Sequence, residues 1–334
     1  MGVTGTSEIM RKGHGTAVLF WNLPFDQGKL VKAPGNNIMP VNETSTPPLK
    51  KPDWLKTVAA IGGDFDNVRE VSRKFQLHTV CDASHCPNIR ECWSERSATF
   101  MILGDICTRH CRFCAVNHGD PKGKTDPSEP KRVAHAIKEL DLRFAVITSV
   151  TRDDLDDGGA SVFAETVRAI HSASESKVEL LIPDLSGNIE ALQKLASSAP
   201  EVVGHNIETV ERLQEQVRDP KSSYARSISL LTELKDLYPN MITKSSIMLG
   251  IGETLPEVVR TMSDLRDAGV DAITIGQYLK PKGGNLPIAE YIPPEMFQRI
   301  EEQASDMGFR YIACGPLVRT SYRAEKILDL IGGA

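Results

Sequence analysis

Six of the chain's seven cysteines fall between Cys81 and Cys114, and no other sequence feature restricts the possible folds as strongly. They form two triplets. Cys81, Cys86 and Cys92 stand in Cys-Asp-Ala-Ser-His-Cys-Pro-Asn-Ile-Arg-Glu-Cys, and Cys107, Cys111 and Cys114 in Cys-Thr-Arg-His-Cys-Arg-Phe-Cys. An odd total is awkward for a disulfide framework, and the sequence has no secretion-type start, so the density points to metal or redox chemistry in a reducing compartment. Three thiolates on one loop can hold three irons of a [4Fe–4S] cube, leaving the fourth iron open as a reaction site. The competing reading is a zinc knot, whose ligands come as closely spaced pairs completing a tetrahedron. His110 and His118 could be offered as zinc ligands, although histidines on a charged loop are more often plain surface residues.

Fold class follows from the apolar runs. Thr99–Leu103, Phe144–Ser149, Val178–Ile182, Val202–Asn206, Ile242–Met248 and Ala272–Ile275 have the length of strands buried on both faces of a parallel sheet. Between them, Val133, Ala136, Ile137 and Leu140, and again Val258, Val259, Met262 and Leu265, repeat at helical spacing. Repeated strand–helix units imply an α/β fold with right-handed crossovers. Six such units suit an incomplete (β/α)6 barrel of the TIM type better than a flat doubly wound sheet, although periodicity alone does not decide closure. In such barrels the site lies just beyond the strand ends, and Cys107 follows the first run by a few positions.

Composition removes other classes. Across 334 residues, 39 basic and 44 acidic side chains give a formal charge of −5, which offers no footprint for nucleic acid or anionic lipid. No apolar run approaches the roughly 20 residues needed to span a bilayer, so neither a nucleic-acid nor a membrane partner is expected. Residues 1–50 carry Pro24, Pro34, Pro40, Pro47 and Pro48 and the turn signal Gly35-Asn36-Asn37, and read as a flexible extension. That extension is not acid-poor in the manner of a transit peptide. A cytoplasmic location is expected, with an organellar matrix as the alternative if the extension is a weak targeting signal.

The spacing Cys107-x3-Cys111-x2-Cys114, with Phe113 before the third cysteine, resembles the hallmark of the radical S-adenosylmethionine (SAM) superfamily. Preceded by Cys81-x4-Cys86-x5-Cys92 and followed by Arg319-Thr320-Ser321-Tyr322, which looks like an Arg-Ser-Ser-Tyr motif, it resembles the lipoyl synthase family from about Lys51 to Lys326. The resemblance implies two [4Fe–4S] clusters and SAM. It assigns Cys107, Cys111 and Cys114 to the SAM-cleaving cluster, Cys81, Cys86, Cys92 and Ser321 to an auxiliary cluster that donates sulfur, and catalytic roles to the first triplet and Ser321. It implies a barrel over 99–290, an auxiliary segment over 51–98 and a C-terminal extension over 291–334 that closes the auxiliary site.

The implied reaction inserts two sulfur atoms at carbons 6 and 8 of an octanoyl group on a lipoyl carrier domain, consuming two SAM. Implied partners are octanoylated 2-oxoacid dehydrogenase E2 subunits and glycine cleavage H protein, a ferredoxin- or flavodoxin-type reductant, and an iron–sulfur carrier for cluster repair. Phe113, Thr148, Ser149, Asn206 and Glu208 are the expected SAM contacts, the last two on ribose hydroxyls, because amides and carboxylates suit paired hydroxyl donors. Arg319 and Lys244 are candidates for orienting substrate or carrier. Gly250-Ile251-Gly252 either lets backbone approach a ligand or makes a tight turn.

Ser321 and Tyr322, taken alone, would read as caps of a terminal helix. Cys314 reads as a buried strand residue. Two positions depart from the family pattern: Thr320 stands for its serine and Ser246 for its glycine, which bears on fine positioning. Competing functions are a methylthiotransferase acting on RNA or protein, which lacks a basic patch here, and a non-catalytic metalloprotein using both triplets structurally.

Overall fold

The computed structural model describes residues 50–56, 65–95, 97–281 and 284–331, so the expected extension over 1–50 lies outside the described residues except for Lys50. Ten strands follow in chain order: β1 His78–Thr79, β2 Thr99–Ile102, β3 Ile106–Cys107, β4 Asn117–His118, β5 Phe144–Ser149, β6 Lys177–Leu181, β7 Val202–Gly204, β8 Ile242–Leu249, β9 Ala272–Gln277 and β10 Tyr311–Gly315. The main sheet runs β1-β2-β5-β6-β7-β8-β9-β10, while β3 and β4 pair separately. From β2 to β10 every neighbour is parallel; only the short β1 on β2 is antiparallel.

All six expected strands are present within a residue or two. Each is joined to the next through helix, as parallel pairing requires. The sheet begins at β1 and ends at β10 without joining its ends, which is the open arc of a partial barrel. Tyr311–Gly315, where Cys314 reads from sequence as a buried strand residue, is a seventh parallel strand, with Cys314 only partly buried and opposite Ile275.

The helices owe their registers to apolar faces and their starts to local chemistry. In Glu129–Glu139, Val133, Ala136 and Ile137 are buried, and in Leu255–Asp267, Val258, Met262 and Leu265 are buried, as their spacing predicts. Thr254 and Glu257 form a reciprocal capping box at the second helix's start, where Pro256 sits in the first turn and needs no donor. Burial of side chains such as Phe163, Ile147 and Ile137, each at 0% exposure, stabilises the layered core by about 1.5–3 kcal/mol apiece.

One end of the arc is plugged. Phe144, Val146, Val202, Ile242 and Ala272, at or near strand starts, pack with Ala324 and Ile327 from the short 3-10 turn Ala324–Ile327. Above this plug Lys244 and Glu179, almost wholly buried, form an ion pair with Nζ–Oε distances of 2.8 and 2.9 Å. Lys244 is therefore committed inside the barrel and is absent from the cavity lining, which corrects its reading as a substrate-orienting candidate. Its neighbour Glu179 satisfies the charge that sequence reading left free.

Candidate functional site

A cavity of about 590 Å3 opens beyond the strand ends, within the range of small-molecule sites. Its wall carries all six clustered cysteines together with Phe113, Thr148, Ser149, Asn206, Glu208 and Ser321, so every residue singled out for a cluster or SAM lines one space. The seven cysteines form no disulfide. Among the described residues no three His, Cys, Asp or Glu side chains converge on a single ion. A cube spreads its irons, each taking one thiolate, and tolerates wider spacing.

The first triplet is fastened to the barrel by residues inside its own loop. Thr108 Oγ1 donates to the Thr151 carbonyl at 3.0 Å, and the Asp153 amide donates to Thr108 Oγ1 at 3.0 Å. Arg109, 5% exposed, donates to Asp153 at 3.0 and 2.9 Å and to Asp184 at 2.8 and 2.7 Å, with further donation to Ser222 and Ser186. One guanidinium thus ties the cysteine loop to the chain beyond β5 and beyond β6. It holds both carboxyls below the ordinary aspartate range against the opposing effect of burial, with Asp153 at about 2. The His110 amide donates to Asp219 and the Arg112 amide to the Val217 carbonyl, so the loop is also pinned to the segment after β7.

Burial pushes Cys111 up to about 12, with Arg218 pulling the other way, and raises Cys114 as well. Burial likewise raises Cys86 and carries Cys81 to about 11. These thiols hold their protons without a metal, and iron binding must displace them.

The remaining wall has the polar character a bound cofactor would use. Ser149 Oγ and Asn206 Oδ1 are buried without a hydrogen-bond partner, a costly arrangement that a polar ligand relieves. Asn206 donates its amide to Thr320 Oγ1 at 3.0 Å, so the hydroxyl at the departure Thr320 is engaged with β7's end. Glu208 takes φ 69°, unusual for a residue with a side chain, and is held by a bridge to Ile247. Burial raises its carboxyl pKa, opposed by Arg218 and Asn206. Phe113 packs against the adjoining apolar cluster.

The second triplet spans two short helices, with Cys81 on Val80–Ala83, Cys92 on Ile89–Ser94 and Cys86 in the turn between them, and is held from the far end of the chain. Asn88 donates to the Leu317 carbonyl at 2.7 Å; Tyr322 Oη and Arg323 Nη2 donate to Glu91 at 2.7 and 2.9 Å. Tyr322 is therefore a tether, and the residue preceding the terminal 3-10 turn is Arg323, so neither Ser321 nor Tyr322 caps it. Gly276 in β9 admits this segment: a Cβ there would stand 2.1 Å from the Val318 carbonyl oxygen.

Of the two roles open to Gly250-Ile251-Gly252, the structure shows the tight turn. Gly250 and Gly252 do not line the cavity; Gly250, at φ +90°, forms a turn closed on Glu253, and its added Cβ would meet Gln277 and Glu290. Sequence reading missed Arg109, Asp184 and Arg218. Arg109 sits between the two cysteines Cys107 and Cys111, and a cation that close to a ligand loop was the available signal.

Comparison with known proteins follows the same residues. The family model of the radical SAM superfamily matches residues 101–276. Lipoyl synthase of Thermus thermophilus is 49% identical over 83% of this chain and 86% of its own length, and that of Caldicellulosiruptor bescii is 49% identical over 85% and 97%. An apicoplast lipoyl synthase of Plasmodium knowlesi is 48% identical over 83% of this chain and 63% of its own. Among solved structures, Streptococcus suis SuiB bound to S-adenosylmethionine aligns with 62% of this chain and 46% of its own at a TM-score of 0.48 and 13% identity, too distant to add to the argument. The chain belongs to the lipoyl synthase family within the radical SAM superfamily.

Proposed function

We propose that this chain makes the lipoyl group on its carrier protein, inserting two sulfur atoms at carbons 6 and 8 of a protein-bound octanoyl chain and consuming two SAM. The observation that carries the reading is the single cavity on which both cysteine triplets and Ser321 meet. Cys107, Cys111 and Cys114 would hold one [4Fe–4S] cluster, and Cys81, Cys86, Cys92 and Ser321 the other. When bound, these groups with SAM supply a radical able to take hydrogen from unactivated carbons, and sulfide to replace it.

The chain's own residues position and shield. Ser149 and Asn206 offer unpartnered polar atoms to SAM, Thr148 lines the same wall, and Glu208 and Asn206 suit its ribose hydroxyls. Phe113 covers the first cluster site with apolar surface. We divide the chain into an auxiliary segment over 51–98, a barrel over 99–290 and a C-terminal extension over 291–334.

Carrier domains of 2-oxoacid dehydrogenase E2 subunits and glycine cleavage H protein are the proposed substrates. A ferredoxin- or flavodoxin-type protein would supply electrons, and an iron–sulfur carrier would renew the auxiliary site. The free thiols fit a reducing compartment, the cytoplasm or, as an alternative, an organellar matrix. No described helix is long and apolar enough to cross a membrane.

The test is anaerobic reconstitution with iron and sulfide, followed by SAM, reductant and an octanoyl-lysine peptide. A product that has gained two sulfurs and lost two hydrogens is the expected result. Deoxyadenosine without sulfur transfer would overturn the substrate assignment, and neither product from a cluster-loaded protein would favour a structural role for both triplets.

A further inference from the structure

The C-terminal motif brings two arginines toward the second triplet, and their charges are spent differently. Arg323 donates to Glu91 at 2.9 Å and is neutralised there. Arg319 has no carboxylate within salt-bridge reach among the described residues; its one hydrogen bond is from Nη1 to the neighbouring Val318 carbonyl at 2.6 Å.

A guanidinium carries five donors and cannot shed its charge, so leaving it partly buried beside one carbonyl is costly unless an anion faces it. Arg319 and Cys86 line the same cavity. Room for the cation is provided by Gly276, whose added Cβ would stand 3.4 Å from Arg319 Nη1. Glu91, on the same short helix as Cys92, is already paired with Arg323 at 2.9 Å. A thiolate-bound iron–sulfur group is itself anionic, so the second site surrounds negative charge with one uncompensated cation.

We propose that Arg319 is the counter-charge of the auxiliary site, holding its anionic iron–sulfur group and stabilising the reduced state against loss of iron. This rests on the reading that the second triplet carries a cluster. The geometry assigns Arg319 to the cluster rather than to the acyl carrier, because its segment docks on the second triplet at both flanks, Leu317 accepting from Asn88 and Tyr322 donating to Glu91. Removing the cation destabilises the more negative, reduced form, whereas a lysine keeps the charge and loses only the planar fork.

The test uses the reconstituted full chain as wild type, Arg319→Gln and Arg319→Lys. Two quantities are read: the reduction potential of the auxiliary cluster, and the rate at which a chelator strips its iron. The expected result is a more negative potential and several-fold faster iron loss in Arg319→Gln, with Arg319→Lys close to wild type. Unchanged potential and iron loss in Arg319→Gln, with only the KM for the octanoyl peptide raised, would overturn the proposal while leaving the lipoyl-forming reading intact. Wild-type protein that forms no lipoyl product would instead break that reading. If Arg319→Gln does not fold, Arg319→Lys decides alone: a clearly shifted potential despite the retained charge contradicts a counter-charge role.

Discussion

The two cysteine triplets share a cavity but are built differently. Cys107–Cys114 is locked by side chains of its own loop, with Thr108 and Arg109 reaching the chain just beyond adjacent parallel strands. Cys81–Cys92 depends on partners more than two hundred positions away: Leu317, Tyr322 and Arg323 grip Asn88 and Glu91. Arg109 with Asp184 is buried, so breaking that pair strands a charge at roughly 3–5 kcal/mol. The tethers at Glu91 are partly exposed and individually worth about 1 kcal/mol. Under the proposed function, the triplet that would be kept is fixed to the barrel, and the one that would give up sulfur is held by a distant segment of the chain.

The largest expected effect attacks the site fixed to the barrel. Cys111→Ala should abolish both deoxyadenosine formation and sulfur insertion, while absorption from the second cluster persists. If SAM cleavage survived, the division of labour between the triplets would be wrong. Next, Ser321→Ala should retain SAM cleavage but lose most sulfur transfer, measured as deoxyadenosine formed per sulfur inserted; normal lipoyl formation would remove Ser321 from the mechanism.

A smaller effect should follow from Gly276→Ala, which pushes a methyl into the Val318 carbonyl and so disturbs the clasp without touching either triplet. Iron at the second site should become several-fold more labile to chelator, while the first site keeps its spectroscopic signature. Equal loss from both sites would show that the clasp is not specific to the second.

The smallest effect concerns acid. His205 is buried, with Nδ1 donating to the Ile182 carbonyl and Nε2 paired with the Ser227 hydroxyl, both at 2.9 Å, and burial together with Arg218 lowers its pKa to about 4. The unfolded chain, with an ordinary histidine near 6.5, binds that proton first. Stability from neutral His205 is therefore complete above pH 6.5 and is lost as pH falls toward 4. His205→Gln should flatten the fall in Tm across that window, and an unchanged slope would assign the acid sensitivity elsewhere.

What the sequence reveals follows the range of the forces involved. Buried parallel strands announce themselves as apolar runs, and the cysteine spacing identifies ligand loops because three thiolates must leave one short segment together. The helix face Val258, Met262 and Leu265 was legible for the same reason. Gly276 was silent, because its role is set by Val318, a partner far along the chain that no local pattern encodes. Lys244 looked available because its partner Glu179 lies on a strand two places away in the sheet. The docking of Tyr322 on Glu91 was hidden in the same way, and a helix cap was the reasonable local reading until the fold placed them together.

The central claim, that one triplet initiates and the other gives itself up as the sulfur source, is most directly tested by isotope. The protein is reconstituted with heavy-isotope sulfide, stripped of free sulfide, and allowed one turnover on octanoyl-lysine peptide. The account predicts that both sulfurs in the product are heavy and that iron is released from the second site alone. A product carrying light sulfur added later, with the second cluster's iron intact, would contradict it.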